Sequence, residues 1–203
     1  MIKIFTLTFL FCFSFLYSQK KELKLAQKLF KQEKVSESKD ALLSNSDLIL
    51  NSNDSKLITQ YHLLVGQIAK GEKEYSKAFD NFKLAEGNKA IKEVLKSELE
   101  FLLYEVQNYA NELYNSGNYK EAASSYNLAY EMSPNKTDLL YYAAVSSING
   151  NEYKTALTYY EKLKELKYTG IMTKYYATPV ETGSEKEISE VEYSLFQKSK
   201  DYE

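Results

Sequence analysis

The chain contains no arginine and no tryptophan, and among its 203 residues are one cysteine (Cys12), one histidine (His62), two prolines and seven glycines. Each scarcity closes a door. Arginine is the usual fork for phosphate and carboxylate groups. Here all 26 basic residues are lysine, set against 28 acids for a formal charge of −2, so composition argues against a nucleic-acid partner. A lone cysteine forms no internal disulfide. A zinc site needs a cluster of Cys, His or carboxylate ligands, and no such cluster is present. A Ser-His-Asp triad would have to run through His62. Ser124-Ser125 and Ser146-Ser147 have no His or Lys base beside them. The acidic pairs Glu121 with Asp138 and Glu98 with Glu100 read as solvated helical faces. The glycines are scattered, with no run that cradles phosphate. The expectation is a chain without enzymatic activity, cofactor, metal or small-molecule substrate.

What the chain does have is lysine, asparagine and 19 tyrosines, a bias that an AT-rich coding sequence produces unaided. Residues 1–18, MIKIFTLTFLFCFSFLYS, have a basic start, an apolar run from Ile4 to Tyr17 and a small residue at the end. This is the secretory signal pattern, with cleavage expected after Ser18. The run is short for a membrane span, which needs about 20 apolar residues, and this ranks the alternative of an uncleaved anchor below a cleaved leader. Membrane contact is therefore expected only through this segment before its removal, and the mature chain is expected to be exported to the periplasm or cell envelope. Cys12 follows Phe11 inside the apolar run and reads as filler rather than a lipid attachment site.

Beyond residue 19, apolar residues recur at helical spacing. The clearest unit is 103–136. Val106, Tyr109, Ala110 and Leu113 mark one stripe. Tyr119, Ala122, Ala123, Tyr126, Ala129 and Tyr130 mark a second. Ser116-Gly117-Asn118 turns the chain between them, and Pro134 stops the second helix. The unit is an antiparallel helix pair of about 34 residues.

This unit resembles the tetratricopeptide repeat (TPR). With Leu103 as the first position, signature residues fall on Ala110, Gly117, Tyr119, Ala122, Tyr126, Ala129 and Pro134. Tyr109 stands where small aliphatics are commoner, and no Trp lies near Val106. Residues 59–90 repeat the pattern with Gly66, Tyr75, Ala78, Phe82 and Ala85. Residues 137–170 repeat it with Ala144, Tyr153, Ala156, Tyr160 and Leu163, although Gly150 comes one position early and Tyr168 takes the proline's place. His62 sits where the family carries a large aromatic and reads as a packing residue. The lysine-, asparagine- and tyrosine-rich chain behind its leader looks like an exported Bacteroidetes-type TPR protein. The resemblance implies an all-α fold, a right-handed α-solenoid of antiparallel helix pairs.

The remaining stretches are less regular. In 20–52, Leu23, Ala26, Leu29 and Phe30 mark one helix, while Ala41, Leu42, Leu48 and Leu50 mark another. Glu33 to Ser38 is expected as the turn between them. This pair is either a degenerate repeat with Ala41 as its small residue or a capping hairpin. Between Lys89 and Asn115 there is neither glycine nor proline, and Ile91, Val94, Leu95, Leu99, Leu102 and Val106 keep helical spacing. One long helix, or two end to end, is expected over 89–115. Residues 171–203 are expected to hold an irregular segment, extended before Pro179, then a capping helix from Glu185 carrying Ile188, Val191, Leu195 and Phe196.

The resemblance implies that the first helices of the pairs line a concave face where a protein or peptide lies. The outward residues there are Gln60, Leu63, Gln67 and Lys70; then Tyr104, Gln107, Asn111, Tyr114 and Asn115; then Asp138, Tyr141, Val145 and Asn149. Amides bond extended backbone, and tyrosine adds contact area with a polar tip. Lys70 and Asn111 alone echo the family's clamp for a terminal carboxylate, so that clamp is not expected. Two functions compete. One is a binding module that holds a protein segment on this face. The other is a structural or oligomerisation scaffold using the solenoid edges and the long helix 89–115.

Overall fold

A computed structural model describes residues 20–170, 174–178, 183–188 and 193. The leader expected at 1–18 lies outside the described residues. The chain divides into two units, Met1–Glu161 and Lys162–Glu203.

The first unit is all-α and TPR-like. Helix α1 spans 20–31; α2 is Val35–Leu43 and α3 Ser46–Leu50. Helices α4 (Ser55–Gly71) and α5 (Tyr75–Leu84) form the next hairpin. A 3₁₀ turn, Lys89–Ile91, leads into α6, Lys92–Asn115. Helix α6 pairs with α7 (Tyr119–Met132), followed by α8 (Thr137–Asn149) and α9 (Tyr153–Glu165), the last running across the division.

One local device builds every hairpin. After α1, α4, α6 and α8 the chain enters the left-handed region at Glu33, Lys73, Gly117 and Asn151, with φ of 61°, 61°, 82° and 60°. The next N–H then reaches back five residues: Lys34 to Leu29, Glu74 to Ala69, Asn118 to Leu113 and Glu152 to Ser147, at 2.8–3.0 Å. This closes the last helical turn and reverses the chain. Only Gly117 is the residue that this backbone prefers. In the 137–170 unit Asn151 takes the left-handed place, which explains why Gly150 comes early. Gly150 serves packing instead: a Cβ there would stand 3.3 Å from the Lys120 nitrogen at the start of α7.

Four residues into each second helix sits a small, buried side chain. Ala78 and Ala122 are fully buried and Ala156 nearly so. In the first hairpin this place belongs to Ser38, whose hydroxyl donates to the Ala26 carbonyl at 2.8 Å. Ala41, expected there, is only half-buried. The polar turn is also shorter than expected, since α2 has begun by Val35. Of the apolar residues that follow, Leu42 and Ile49 enter the core while Leu48 and Leu50 face water. The helix breaks at Ser44-Asn45 and rotates its apolar stripe by one residue. Asp54 starts α4, its side chain accepting the Leu57 N–H at 3.1 Å.

The stretch 89–115 is helical from its first residue, with a 3₁₀ turn before the 24-residue α6. At about 1.5 Å per residue α6 is about 36 Å long. Its amino-terminal half buries Leu95 and Leu102 and leaves Val94 and Phe101 about half exposed. A cleft of about 460 Å³ opens between α5, α6 and the end of α7, floored by Phe79, Leu99, Leu103 and Met132.

In the second unit, α9 ends with the same device: Lys167 has φ 56° and the Tyr168 N–H bonds the Leu163 carbonyl at 3.0 Å. Strands β1 (Tyr175–Ala177) and β2 (Lys186–Ile188) then pair antiparallel, Tyr175 opposite Ile188 and Ala177 opposite Lys186. The extended segment before Pro179 is therefore present. The helix expected from Glu185 does not begin there: Lys186–Ile188 is a strand that buries Ile188 together with Ala177 on one face, and Tyr193 further on is helical. A three-residue strand carries too little periodicity to be told from a helix start. Val191, Leu195 and Phe196 lie outside the described residues.

Candidate functional site

The sequence-expected face falls on α4, α6 and α8. On α6, Tyr104 is well exposed and Gln107 half-buried. The Asn111 Oδ1 accepts the Tyr126 hydroxyl at 2.6 Å. Burial raises the Tyr126 pKa above its ordinary 10.0, which keeps that hydroxyl a donor. The Tyr114 ring meets Tyr119 edge-on at 5.3 Å. Its hydroxyl lies 3.0 Å from the Asn149 Nδ2, which donates to it. Asn115 is exposed. On α8, Asp138 and Val145 are half-buried and Asn149 exposed. Tyr141 is partly exposed, its ring 6.5 Å from that of Tyr160.

The bond from Asn149 to Tyr114 fixes the register of these two helices. Both residues lie in the last turn of their helix, so α6 and α8 run parallel and level. The expected outward residues of the two helices are mostly tyrosines and amides, with Asp138 the formally charged member, and the Asn149–Tyr114 bond joins the two sets.

Helix α4 does not continue that face. Its Gln67 donates to the Glu98 Oε1 at 2.7 Å, and Lys70 bonds the Glu98 Oε2 at 2.5 Å. The Lys70 ammonium also sits 4.7 Å from the centre of the Phe101 ring. Both charged side chains are more than four-fifths buried. In a level stack Lys70 would lie beside Tyr114, about 24 Å further along α6 than Glu98. The inserted amino-terminal half of α6 thus crosses the end of α4 and engages the two residues expected to point into a groove. Gln60 and Leu63 remain half-buried, with Gln60 lining a cleft of about 250 Å³ beside Lys20, Lys24, Asp54 and Lys56. Lys20 pairs with Asp54 there at 2.9 Å.

The Glu98 bridge was not foreseeable from composition, since Glu98 beside Glu100 looks like an ordinary wet helical face. The one available clue was spacing: Ala78 and Ala122 stand 44 residues apart against 34 between Ala122 and Ala156, and the ten extra residues ahead of Leu103 had to place new side chains against α4.

Residues screened for chemistry have local duties. Asn81 gives an amide proton to the Lys77 carbonyl at 2.9 Å, so its Oδ1 accepts the His62 Nδ1–H at 3.0 Å. The hydroxyls of Ser124, Ser125 and Ser147 donate to carbonyls one turn back in their own helices. Ser146 is buried without a hydroxyl partner. Among the described residues no three His, Cys, Asp or Glu side chains converge to hold a metal ion. No described helix is long and apolar enough to cross a membrane.

No protein-family model matches the chain, and no curated protein matches it by sequence. Among solved structures it is similar to MamA of AMB-1, with 20% identity over 71% of this chain and 76% of that one and a TM-score of 0.31. It is similar to PilF of Pseudomonas aeruginosa, with 16% identity over 74% of this chain and 62% of that one, TM-score 0.33. It is also similar to YrrB, a TPR protein with an unusual peptide-binding site, with 14% identity over 76% of this chain and 93% of that one, TM-score 0.30.

Proposed function

We propose that the chain is a non-enzymatic interaction module of the cell envelope, exported by its first 18 residues, and that its α6–α8 face holds a protein or peptide segment. The supporting observation is the level pair of helices locked by Asn149 and Tyr114. It presents Tyr104, Gln107, Asn115, Tyr141 and Val145 in one row. A face built on rigid helices orders few groups on binding, and this limits the entropic cost of holding a segment. Asn111 and Tyr114 brace the face through internal bonds, while Tyr104 and Gln107 stand free for contact.

The test follows from that division. Wild-type protein and the Tyr104→Ala/Gln107→Ala variant are used to capture partners from envelope extracts of the source cell, and the bound proteins are identified by mass spectrometry. The expected result is a partner retained by the wild type and lost from the variant, with the variant's helical melt unchanged. Identical captures by the two proteins would refute the assignment of this face. Export is tested separately by amino-terminal sequencing of the fractionated protein, with Gln19 expected as the first residue.

A further inference from the structure

Helix α9 repeats the plan of α7. Tyr153, Leu157 and Tyr160 are its first, fifth and eighth residues, the places that Tyr119, Ala123 and Tyr126 hold in α7. In α7 this stripe is covered by the following helix. Ala123 and Tyr126 are 4% and 6% exposed, and the Tyr126 ring lies 5.5 Å from that of Tyr142 on α8. In α9 the same stripe is bare, with Tyr153, Leu157 and Tyr160 at 64%, 60% and 36% exposure. The last repeat thus presents to water a surface whose counterpart one repeat earlier is core. An aliphatic side chain set between two tyrosines at helical spacing is what a helix–helix contact requires.

We propose that this stripe binds the same stripe of a second copy of the chain, with the two α9 helices antiparallel about Leu157. The charges beside the stripe select this occupant. Lys154 and Glu161 lie two helical turns apart and so flank it on one side. Both are exposed, and neither has an ion-pair partner among the described residues. A two-fold axis through Leu157 places Lys154 of each copy opposite Glu161 of the other, so one asymmetric pair of charges yields two matched contacts. A parallel two-fold pairing would put the Lys154–Glu161 flanks of the two copies on opposite sides of the seam and match neither charge. A uniformly acidic or basic partner helix would match one charge and oppose the other. The contact area of one helix is small, which places the dimer among weak, concentration-dependent ones. It is tested at Leu157, Lys154 and Glu161, none of which belongs to the α6–α8 face, so the two proposals stand or fall separately.

Sedimentation equilibrium of the full chain from about 5 to about 500 µM tests this. The expected result is a monomer–dimer equilibrium that Leu157→Asp weakens by about 100-fold or more. Lys154→Glu and Glu161→Lys should each weaken it by about 10-fold, and the double reversal should restore it to within about three-fold of the wild type. All three substituted positions are exposed, and an unchanged circular dichroism melt confirms that each variant folds. A chain that stays monomeric across the whole range overturns the proposal. So does a dimer indifferent to Leu157→Asp, or a double reversal weaker than both single changes.

Discussion

Gly66 offers the sharpest check on the packing. It lies inside α4 and is buried, and a Cβ built on it would stand 2.5 Å from two carbons of the Phe82 ring and 3.2 Å from a third. Relaxed carbon contacts lie at about 3.5–4.0 Å, so in Gly66→Ala the ring must retreat by about 1 Å. Phe82 is 0% exposed and has nowhere open to go. Overpacking of this kind costs about 1–3 kcal/mol, and with two ring carbons so close the upper end applies. Helix propensity works the other way, favouring alanine by about 1 kcal/mol. The packing term wins, for a net loss of about 2 kcal/mol, or roughly 4–8 °C in melting temperature at this chain length. Urea unfolding followed by circular dichroism measures it. The control is Gly71→Ala at the end of the same helix, where a Cβ would meet nothing within 4 Å; that change should be neutral or stabilise by up to about 1 kcal/mol. The first hairpin supplies the rescue, because it pairs Ala26 with Leu42 at the corresponding places, both buried. Gly66→Ala/Phe82→Leu should therefore be more stable than the sum of its single changes by at least about 1 kcal/mol. If Gly66→Ala proved as stable as the wild type, the close approach of α4 and α5 would be wrong.

Two further outcomes follow from the helix ends. Lys73→Gly, which places glycine in a left-handed turn with φ 61°, should stabilise the chain by about 0.5–1 kcal/mol in urea, while Gly117→Ala, at φ 82°, should destabilise it by about 1 kcal/mol. Equal effects of one sign would refute the shared turn geometry. Asp54 is held below its ordinary 3.8, first by the Lys20 ammonium and then by the Leu57 N–H. A depressed folded pKa stabilises fully above about pH 4, and the stabilisation fades as pH falls through the folded value. The advantage of wild type over Asp54→Asn, under about 1 kcal/mol for so exposed a pair, should therefore disappear in melts below about pH 3; an advantage undiminished at that pH would refute the pairing.

The helices and their reversals were legible because they depend on short-range rules: apolar spacing, and a chain break every hairpin. The small residue of each second helix was legible at Ala78, Ala122 and Ala156 for the same reason. Ser38 escaped notice because a buried serine satisfied by the Ala26 carbonyl looks, in a sequence, like a surface serine. The exchange of Ile49 for Leu48 and Leu50 in the core depends on a one-residue change of helical phase at Ser44-Asn45, which composition does not announce. The strand at Lys186–Ile188 exists through its pairing with Tyr175–Ala177, a contact between segments that local periodicity cannot see. Of the expected face, Tyr114 and Asn149 meet between α6 and α8. Gln67 and Lys70 are drawn to Glu98, because where α6 lies across α4 is decided by tertiary packing rather than by repeat length.

The inserted half of α6 also bears on how the first unit comes apart. In an array where each hairpin touches mainly its neighbours, cooperativity passes along the chain one joint at a time. Here one joint is unlike the others: α5 and α6 flank a 460 Å³ cleft, and the bridge from Gln67 and Lys70 to Glu98 spans the same seam. Fraying that starts at α1 has a place to halt before it reaches α7, and melting from the other end has the same stop. Amide exchange in α1–α5 and in α7–α8 would then report two opening energies, and neutralising Glu98 would pull them further apart.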